Sequence, residues 1–213
     1  MPRTATASAT KKKSIYSVHP GVTMVQKWVA ELKQKTGRSL DEWLRFVKKS
    51  GPKDEQGRRD WLKQEQGLGT NTAWWIAERS MGKGSETADP DEYLKAAEGY
   101  VEQMFSGSKS DLRPIYDALL KLGLKVGKDA KACPCQTIVP LYRKHVFAQI
   151  KPTTRTRIDL GFALGDMKAK GRLIDTGGFA KKDRITHRIP IESAKDIDDE
   201  VKYWLKVAYD RDA

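Results

Sequence analysis

The sequence is poor in the residues that build disulfide frameworks and metal sites. It has two cysteines and three histidines among 213 residues. Cys133 and Cys135 stand one residue apart, which excludes a disulfide framework and favours a reducing compartment such as the cytoplasm. The histidines, His19, His145 and His187, are scattered, whereas a structural zinc site needs four donors. The sequence therefore predicts neither a bound metal nor another cofactor.

Long apolar runs and nucleotide-binding signatures are also missing. No run of about 18 uncharged apolar residues is present, which excludes a membrane-spanning helix. The first ten residues lack an apolar segment, so we expect no signal peptide and no membrane partner. Gly165, Gly177 and Gly178 follow no phosphate-loop pattern and are typical of hairpin connections. No catalytic constellation is recognisable; Cys133 or Cys135 is a candidate nucleophile only if a histidine lies next to it in space.

Positive charge is in excess and unevenly placed. The chain carries 40 Lys and Arg against 28 Asp and Glu, a net charge of +12. Residues 1–88 and residues 142–188 each have a net charge of +8 and bracket a nearly neutral middle. Clustered positive charge attracts polyanions, because binding releases their condensed counterions. The charge therefore favours a nucleic acid or an acidic protein as the partner, with solubility as the alternative explanation.

Residues 21–81 are predicted to form a small, all-α helical domain. They follow a flexible basic tail, residues 1–20, whose composition shows no periodicity. Apolar residues recur at helical spacing in four segments, and five of the six tryptophans fall here and supply a core. Because Trp74 and Trp75 are adjacent, one of them is expected to be partly exposed. The glycine-containing residues 82–88 are predicted to be a linker.

Caps and helix breakers predict the boundaries of these helices. The first helix is expected to stop at Gly37, and Ser39 with Glu42 makes a capping-box pattern at the start of the second. Gly51-Pro52 ends the second helix. A third helix is expected from about Asp54 to Gln66.

Residues 89–213 are predicted to form an α+β domain of two helices, an antiparallel sheet and a closing helix. The first of these helices starts at Asp89-Pro90, an N-cap followed by proline, and Gly123 is expected just after the second. The segment from Arg155 to Leu164 alternates strictly between polar and apolar residues, which predicts one strand. Ile185 to Ile191 is predicted to be a further strand, and the final apolar stripe predicts the closing helix.

The first half resembles a known family. The stretch TGRSLDEW, which starts at Thr36, followed by Trp61-Leu62 and Gly67-Leu68-Gly69, resembles a small bacterial domain family of unknown function. Members of that family pair a TGKS-like helix start with a W-L-K-x-x-x-G-L-G segment. The resemblance covers about residues 22–81, and it supplies neither a reaction nor catalytic residues.

Residues 90–213 resemble a second uncharacterised bacterial family, found at the C-terminus of proteins labelled "predicted transport protein". The likeness rests on Phe147 to Pro152, on the alternating segment Arg157 to Leu164 and on the ending Ile197 to Tyr209. The sheet is also similar to the YdhG-like and YjbR-like α+β folds, a fold-level analogy that carries no function. Cys133-Pro134-Cys135 is not part of the family's pattern, so the resemblance assigns it no role.

The turn from Gly67 to Ala73 is the most informative local feature. It resembles the hairpin of helix-hairpin-helix DNA-binding motifs, in which glycines let the backbone approach a phosphate and the next helix start attracts an anion. Alternatively, it is a tight helix–helix connection whose glycines adopt positive φ and whose Thr70 caps the following helix. The residues predicted to contact an anion at this turn are Arg58, Arg59, Lys63, Gly67, Gly69, Thr70 and Thr72.

A second predicted anion site lies on the sheet. Arg155, Arg157 and Asp159 are expected on the strand face that points away from the core. A sheet face rich in arginine can bind a phosphate backbone or an acidic partner, and an ordinary solvated face is the alternative. The candidate residues of this site are Arg143, Lys144, Lys151, Arg155 and Arg157.

These observations favour a non-enzymatic module that binds nucleic acid or another polyanion. A protein-interaction or assembly module, which uses an exposed tryptophan and the basic sheet face, is the first alternative. A small-ligand binder or an enzyme with its site between the two domains is the second, and it requires a concave pocket with convergent polar groups. The favoured hypothesis depends on the two basic zones converging into one surface.

Overall fold

The structure, a computed structural model, describes residues 14–213. Six α-helices precede a six-stranded sheet and a seventh follows it, which confirms the predicted α+β class. The helices are α1 (Pro20–Thr36), α2 (Leu40–Ser50), α3 (Glu55–Gln64), α4 (Thr70–Ser80), α5 (Pro90–Met104), α6 (Arg113–Lys125) and α7 (Asp199–Arg211). The strands are β1 (Lys131–Ala132), β2 (Val139–Tyr142), β3 (Val146–Pro152), β4 (Ile158–Phe162), β5 (Ile174–Asp175) and β6 (His187–Ile191).

The boundaries of α1 and α2 lie where the caps predict them. Gly37 follows α1 with a φ of 79°, in the left-handed region that glycine adopts without steric cost. The backbone N–H of Glu42 donates to Ser39 Oγ, and the backbone N–H of Ser39 donates to the Glu42 carboxylate. The predicted capping box is therefore present, and α2 ends directly before Gly51.

Helices α1 to α4 bury a cluster of seven side chains: Leu32, Trp43, Val47, Leu62, Ala73, Ile76 and Ala77. Trp43 is 2% exposed, and its indole N–H donates to Thr36 Oγ1 at 2.8 Å. The rings of Trp28 and Trp75 pack edge to face beside this cluster, with centroids 4.4 Å apart. Trp74 is 47% exposed, so one of the two adjacent tryptophans is exposed as predicted.

A second, larger apolar cluster lies between the sheet and helices α5, α6 and α7. Helix α1 takes part in both clusters, because Val22 near its start belongs to the larger one and Leu32 near its end to the smaller one. The segment after α4 is also in contact with its surroundings. A 3₁₀ turn spans Ser85–Thr87, and Thr87 Oγ1 accepts hydrogen bonds from Arg79 and the Trp75 indole. The predicted linker is thus an ordered turn.

The strands are antiparallel throughout, in the spatial order β1-β2-β3-β4-β6-β5. Leu160 in the middle of β4 pairs with Ile150 on β3 and with Ile189 on β6, so these apolar residues share the face that the helices cover. Because β3 and β6 both run against β4, the start of β3, the end of β4 and the start of β6 lie at one end of the sheet. The opposite end holds the β3–β4 hairpin.

The strand expected from Arg155 to Leu164 is shorter at both ends, the strand expected from Ile185 begins at His187, and Gly123 does not follow a helix. Strand β4 begins at Ile158, so Arg155 lies in the β3–β4 hairpin, where the carbonyl of Arg157 accepts hydrogen bonds from the two residues after β3. The polar–apolar alternation continues into a turn, because alternation reports side-chain type and not strand pairing. Gly123 lies inside α6 and not after it. A Cβ at Gly123 would stand 2.5 Å from Leu141 Cδ1, so close helix–sheet packing requires the glycine there.

Residues 1–13 of the predicted tail lie outside the described residues. The residues that follow them are held against the larger cluster: Tyr16 is buried, and its hydroxyl lies 3.0 Å from that of Tyr116 on α6. The N–H of Ser17 donates to the carbonyl of Ala132 on β1 at 2.9 Å. The end of the predicted tail is therefore part of the fold. Among residues 14–213, no helix combines the length and the apolar composition that crossing a bilayer requires.

Candidate functional site

The turn between α3 and α4 combines features of both interpretations of its sequence. Gly67 has a φ of +65°, which favours glycine, whereas Gly69 has a φ of −61° and occupies the N-cap position of α4. Thr70 is the first residue of α4 and does not cap it; the N-cap makes no side-chain hydrogen bond. Gly67, Gly69 and Thr70 are exposed, and Thr72 is half-buried. The expectation that Thr70 caps the helix is wrong, because the chain reaches helical geometry one residue earlier.

The cations before this turn are mostly occupied within the helical part. Arg58 donates to the carbonyl of Pro52 at 2.7 Å and to that of Ser80 at 2.9 Å. Arg59 forms an ion pair with Glu55, and its guanidinium lies 5.4 Å from the centre of the Trp74 ring. Lys63 is exposed and makes no ion pair with a described residue. Of the three predicted cations, only Lys63 is thus available without breaking an internal contact.

The five predicted cations of the sheet lie at opposite ends of it. Arg143 and Lys144 belong to the turn before β3, whereas Lys151, Arg155 and Arg157 lie at its far end. Strand β3 has seven residues, which separates the two groups by about 20 Å. The structure therefore does not bring them together as one patch.

Asp159 neutralises part of the positive charge of the group at the end of β3. Its carboxylate lies 3.0 Å from Arg157 Nε and 2.8 Å from Arg188 Nη1, and it accepts a hydrogen bond from Thr153 Oγ1. Arg143 is likewise paired, with its Nε 3.1 Å from Asp129. Lys144, Lys151 and Arg155 are exposed and make no ion pair with any described residue.

The end of the sheet at which β3 begins carries a cationic surface that includes an exposed aromatic ring. We call it the sheet-end site and define it as Lys144, Phe179, Lys182, Arg184 and Arg211. The last four line one open concavity of about 690 Å³. Lys144 precedes β3 at the same end of the sheet. The next residue, His145, and Arg184 both contact the carboxylate of Asp212. The Phe179 side chain is 58% exposed, so its ring is accessible from solvent.

A buried carboxylate organises this site. Asp212, 4% exposed, accepts hydrogen bonds from the backbone N–H of His145 at 2.7 Å, from its Nδ1 at 3.0 Å and from Arg184 Nη2 at 2.5 Å. Arg184 also donates from Nε to the carbonyl of Val146. Asp212 stands at the C-terminus of α7, where the helix dipole disfavours an anion, so these donors compensate for an unfavourable position.

The acid stability of the protein is expected to depend on Asp212. Burial disfavours its charged form, but the hydrogen bonds from His145 and the charge of Arg184 outweigh burial and hold its pKa below the ordinary value. A lowered carboxyl pKa contributes stability above the unfolded value of about 3.9, and that contribution is lost as the pH falls through the folded pKa. Asp212→Asn is therefore expected to cost about 2 kcal/mol at pH 7. The difference from wild type should shrink below about pH 4.

Urea unfolding of both proteins between pH 3 and pH 7 measures this difference. Asp210→Asn is the matched control, since Asp210 is exposed on the same helix and its carboxylate pairs with Lys206 and with no residue of the site. A pH-independent difference would show that the charge of Asp212 is not what stabilises the fold.

The loop between β5 and β6 holds Phe179 and Lys182 in place through backbone geometry. The N–H of Gly177, which has a φ of +69°, donates to Asp175 Oδ1 at 2.8 Å. Gly178 is buried, and a Cβ there would stand 2.6 Å from the carbonyl oxygen of Ile185. The two glycines were predicted to be a hairpin connection. The signal that sequence reasoning missed is the run Phe179-Ala-Lys-Lys that follows them, an aromatic residue beside cations in a loop.

Neither cysteine is hydrogen-bonded to a histidine among residues 14–213; their thiols donate to the carbonyls of Val18 and Cys133. Burial raises the pKa of Cys133 to about 12 and also raises that of Cys135, which keeps both thiols protonated and weakly nucleophilic. His145 bonds to Asp212, and His187 lies 2.9 Å from the carbonyl of Met167, so neither is a base for a thiol. Among residues 14–213, no group of three or more His, Cys, Asp or Glu side chains is placed to hold a metal ion.

The fold and this site define an α+β protein with an additional helical part and a cationic, aromatic end of its sheet. Residues 101–212 match the family described as Domain of unknown function (DUF5655), and the chain belongs to this family, since the match covers more than half of it. Residues 24–79 match the family described as Domain of unknown function (DUF4287). The two resemblances predicted from sequence are thus confirmed. No curated protein and no solved structure matches the chain.

Proposed function

We propose that this protein binds single-stranded nucleic acid at the sheet-end site. The observation that carries the proposal is the exposed ring of Phe179, which shares one concavity with Lys182, Arg184 and Arg211. Aromatic platforms beside cationic side chains are the usual means of binding single strands, because every base has a face to stack and every nucleotide a phosphate. Lys182 and Arg211 make no ion pair with a described residue and are free to contact phosphates.

Single-stranded nucleic acid suits this geometry better than a duplex. A Phe ring can stack on a base only where the base is not already stacked between its neighbours, as in single strands and loops. The concavity also holds one carboxylate, Asp183, so its net charge is positive but moderate. Moderate charge with a stacking platform favours contacts with a few nucleotides. Arg184 is paired with Asp212, so the unpaired cations Lys144, Lys182 and Arg211 can make about three phosphate contacts. The slope of log affinity against log salt is then expected to be about −2 for a single strand.

Substitution at the site is expected to separate the stacking from the ionic contribution. Phe179→Ala should weaken binding of a fluorescein-labelled 15-nucleotide DNA by about 5- to 150-fold, since a lost base–ring stack costs about 1–3 kcal/mol. Lys182→Gln should weaken it less and make the salt slope shallower by about 0.7. Fluorescence anisotropy between 50 and 200 mM salt measures both quantities. Lys195→Gln, an exposed lysine in a different turn, is the matched control.

Three outcomes of this experiment would overturn the proposal. They are the absence of binding at 50 mM salt, affinity that does not change with salt, and Phe179→Ala that binds as tightly as the control. Equal affinity for a duplex of the same length would also argue against stacking on Phe179.

An assembly module is the second candidate function, and the exposure of Trp74 favours it. Its ring lies on the surface of the helical part under the guanidinium of Arg59, which already occupies one side. Light scattering at rising concentration, with Trp74→Ala beside wild type, tests whether the ring mediates self-association.

A reducing compartment such as the cytoplasm remains our proposal for the location of the protein, since both cysteines are unpaired thiols.

A further inference from the structure

Two adjoining cavities lie on the α5 side of the protein, away from the sheet-end site. The first, of about 320 Å³, lies between the start of α1, the 3₁₀ turn Ser85–Thr87, α5 and the segment that holds Cys135. The second, of about 620 Å³, lies between the end of α5, the following 3₁₀ turn and the end of β3. Tyr100 and Gln136 line both cavities, so these two side chains form the partition between them.

The walls of the first cavity are mostly apolar and aromatic. Val22, Val25 and the rings of Tyr93 and His19 contribute to them. The Tyr93 hydroxyl donates to the carbonyl of Pro134 at 2.8 Å, so its proton is not available to a ligand in the cavity.

His19 also presents an uncharged ring to this cavity. Its Nδ1 accepts from the N–H of Gly21, and its Nε2 lies 3.0 Å from the hydroxyl of Tyr142. Burial lowers the pKa of His19, which keeps the imidazole neutral. The first cavity is therefore suited to a flat ring without negative charge, since the one carboxylate in its wall, that of Glu86, lies 3.5 Å from the Tyr100 hydroxyl.

The second cavity has the opposite character. Two lysines, Lys109 and Lys151, line it together with the hydroxyl-bearing residues Ser106, Ser108, Thr137 and Thr153. None of the described residues that line it carries a carboxylate.

The two lysines of the second cavity differ in how they are held. Lys109 Nζ donates to the carbonyl of Pro152 at 2.6 Å, which fixes its ammonium group at the end of β3. Lys151 is exposed and makes no ion pair with a described residue. The ammonium groups of the two lysines and the hydroxyls of Ser108 and Thr137 are suited to an anion that has several oxygens, whereas the Thr153 hydroxyl already donates to Asp159.

We propose that the paired cavities bind a small phosphomonoester that carries a flat, largely apolar ring. The ring lies among Tyr93, Tyr100 and His19, and the phosphate lies against Lys109 and Lys151. The first cavity is at the lower end of the size range of ligand sites, about 300–1,000 Å³, which admits one ring system. This site is separate from the proposed nucleic-acid surface, because β3 ends here and begins at the sheet-end site.

Four probes test whether both halves of the ligand are recognised. Isothermal titration calorimetry of the full chain is to be run with adenosine monophosphate, phenyl phosphate, adenosine and inorganic phosphate. At least one of the two phosphomonoesters is expected to bind at least tenfold more tightly than both adenosine and inorganic phosphate. The stronger of the two identifies the ring, a nucleobase or a simple arene. The proposal is overturned if neither phosphomonoester binds at least tenfold more tightly than both adenosine and inorganic phosphate.

Two variants locate the binding. Lys151→Gln is expected to weaken the better phosphomonoester about tenfold, because one charged hydrogen-bond donor to the phosphate is lost. Tyr100→Ala should weaken it more than Tyr100→Phe, since only the former removes the ring. Lys195→Gln, which changes an exposed lysine in the turn before α7, is the control and should leave the affinity unchanged. If Lys182→Gln and not Lys151→Gln weakens binding, the phosphate binds at the sheet-end site and the proposal is wrong. Thermal unfolding of each variant verifies that it is folded.

Discussion

Trp43→Ala is expected to destabilise the helical part by about 4 kcal/mol. Trp43 is the largest side chain of a cluster with only seven buried members, and its truncation leaves a cavity that so small a core cannot close by rearrangement. The indole also donates to Thr36 Oγ1, and this hydrogen bond would be lost. Urea unfolding measures the loss of unfolding free energy, and hydrogen exchange of residues 40–80 shows whether the loss occurs in the helical part.

The exposed Trp74 supplies the matched control for this prediction. Trp74→Ala removes the same side chain from the surface of the same cluster and should cost less than about 1 kcal/mol. Equal effects of the two substitutions would mean that Trp43 is not a core residue and that the packing described for α1 to α4 is incorrect.

Phe162→Ala is expected to destabilise the sheet by about 4 kcal/mol. Phe162 is fully buried at the end of β4, the strand in the middle of the sheet, and it pairs with Ala148 on one side and His187 on the other. Truncation therefore opens a cavity beneath three adjacent strands. Phe162→Leu keeps most of the volume and should cost less than half as much.

Hydrogen exchange of strands β3, β4 and β6 provides the measurement for Phe162. Because the substituted residue lies at the same end of the sheet as the sheet-end site, Phe162→Ala should also weaken binding of single-stranded DNA. Unchanged exchange protection in all three strands would contradict the prediction.

The two core substitutions together test the predicted division of the chain at residues 82–88. If each variant increases exchange only in its own cluster, the parts before and after the division fold as separate units. If each increases exchange in both clusters, helix α1 couples them, since Val22 and Leu32 place its two ends in different clusters. The ordered 3₁₀ turn Ser85–Thr87 and its hydrogen bonds favour some coupling.

The predictions that rest on neighbouring residues agree best with the structure. The capping box of Ser39 and Glu42, the left-handed Gly37 and the N-cap Asp89 all involve groups within one helical turn of each other. Such contacts can be predicted from spacing, because the helix dictates which groups meet. The polar–apolar alternation was a less reliable guide to strand boundaries. It is already present at Arg155, although strand β4 begins only at Ile158.

The candidate sites were harder to predict, because they depend on residues that are distant in sequence. The sequence correctly indicated that cations are plentiful after residue 141 but placed Lys144 and Arg157 in one patch. The hairpin topology puts them at opposite ends of β3. The alternating pattern did place Asp159 on one face with Arg157, but Asp129, which pairs with Arg143 from 14 residues away, could not be assigned from spacing.

Composition, helical period and caps were sufficient for the fold class, the family resemblances and most helix boundaries, since each depends on interactions between neighbours in the chain. Strand order and packing decided which cations share a surface. Asp212 meets His145 across 67 residues, and Tyr100 lines a cavity with Lys151, because folding brings those distant segments together. A binding site is a set of distances in space, and such distances are set by the packing of the whole chain.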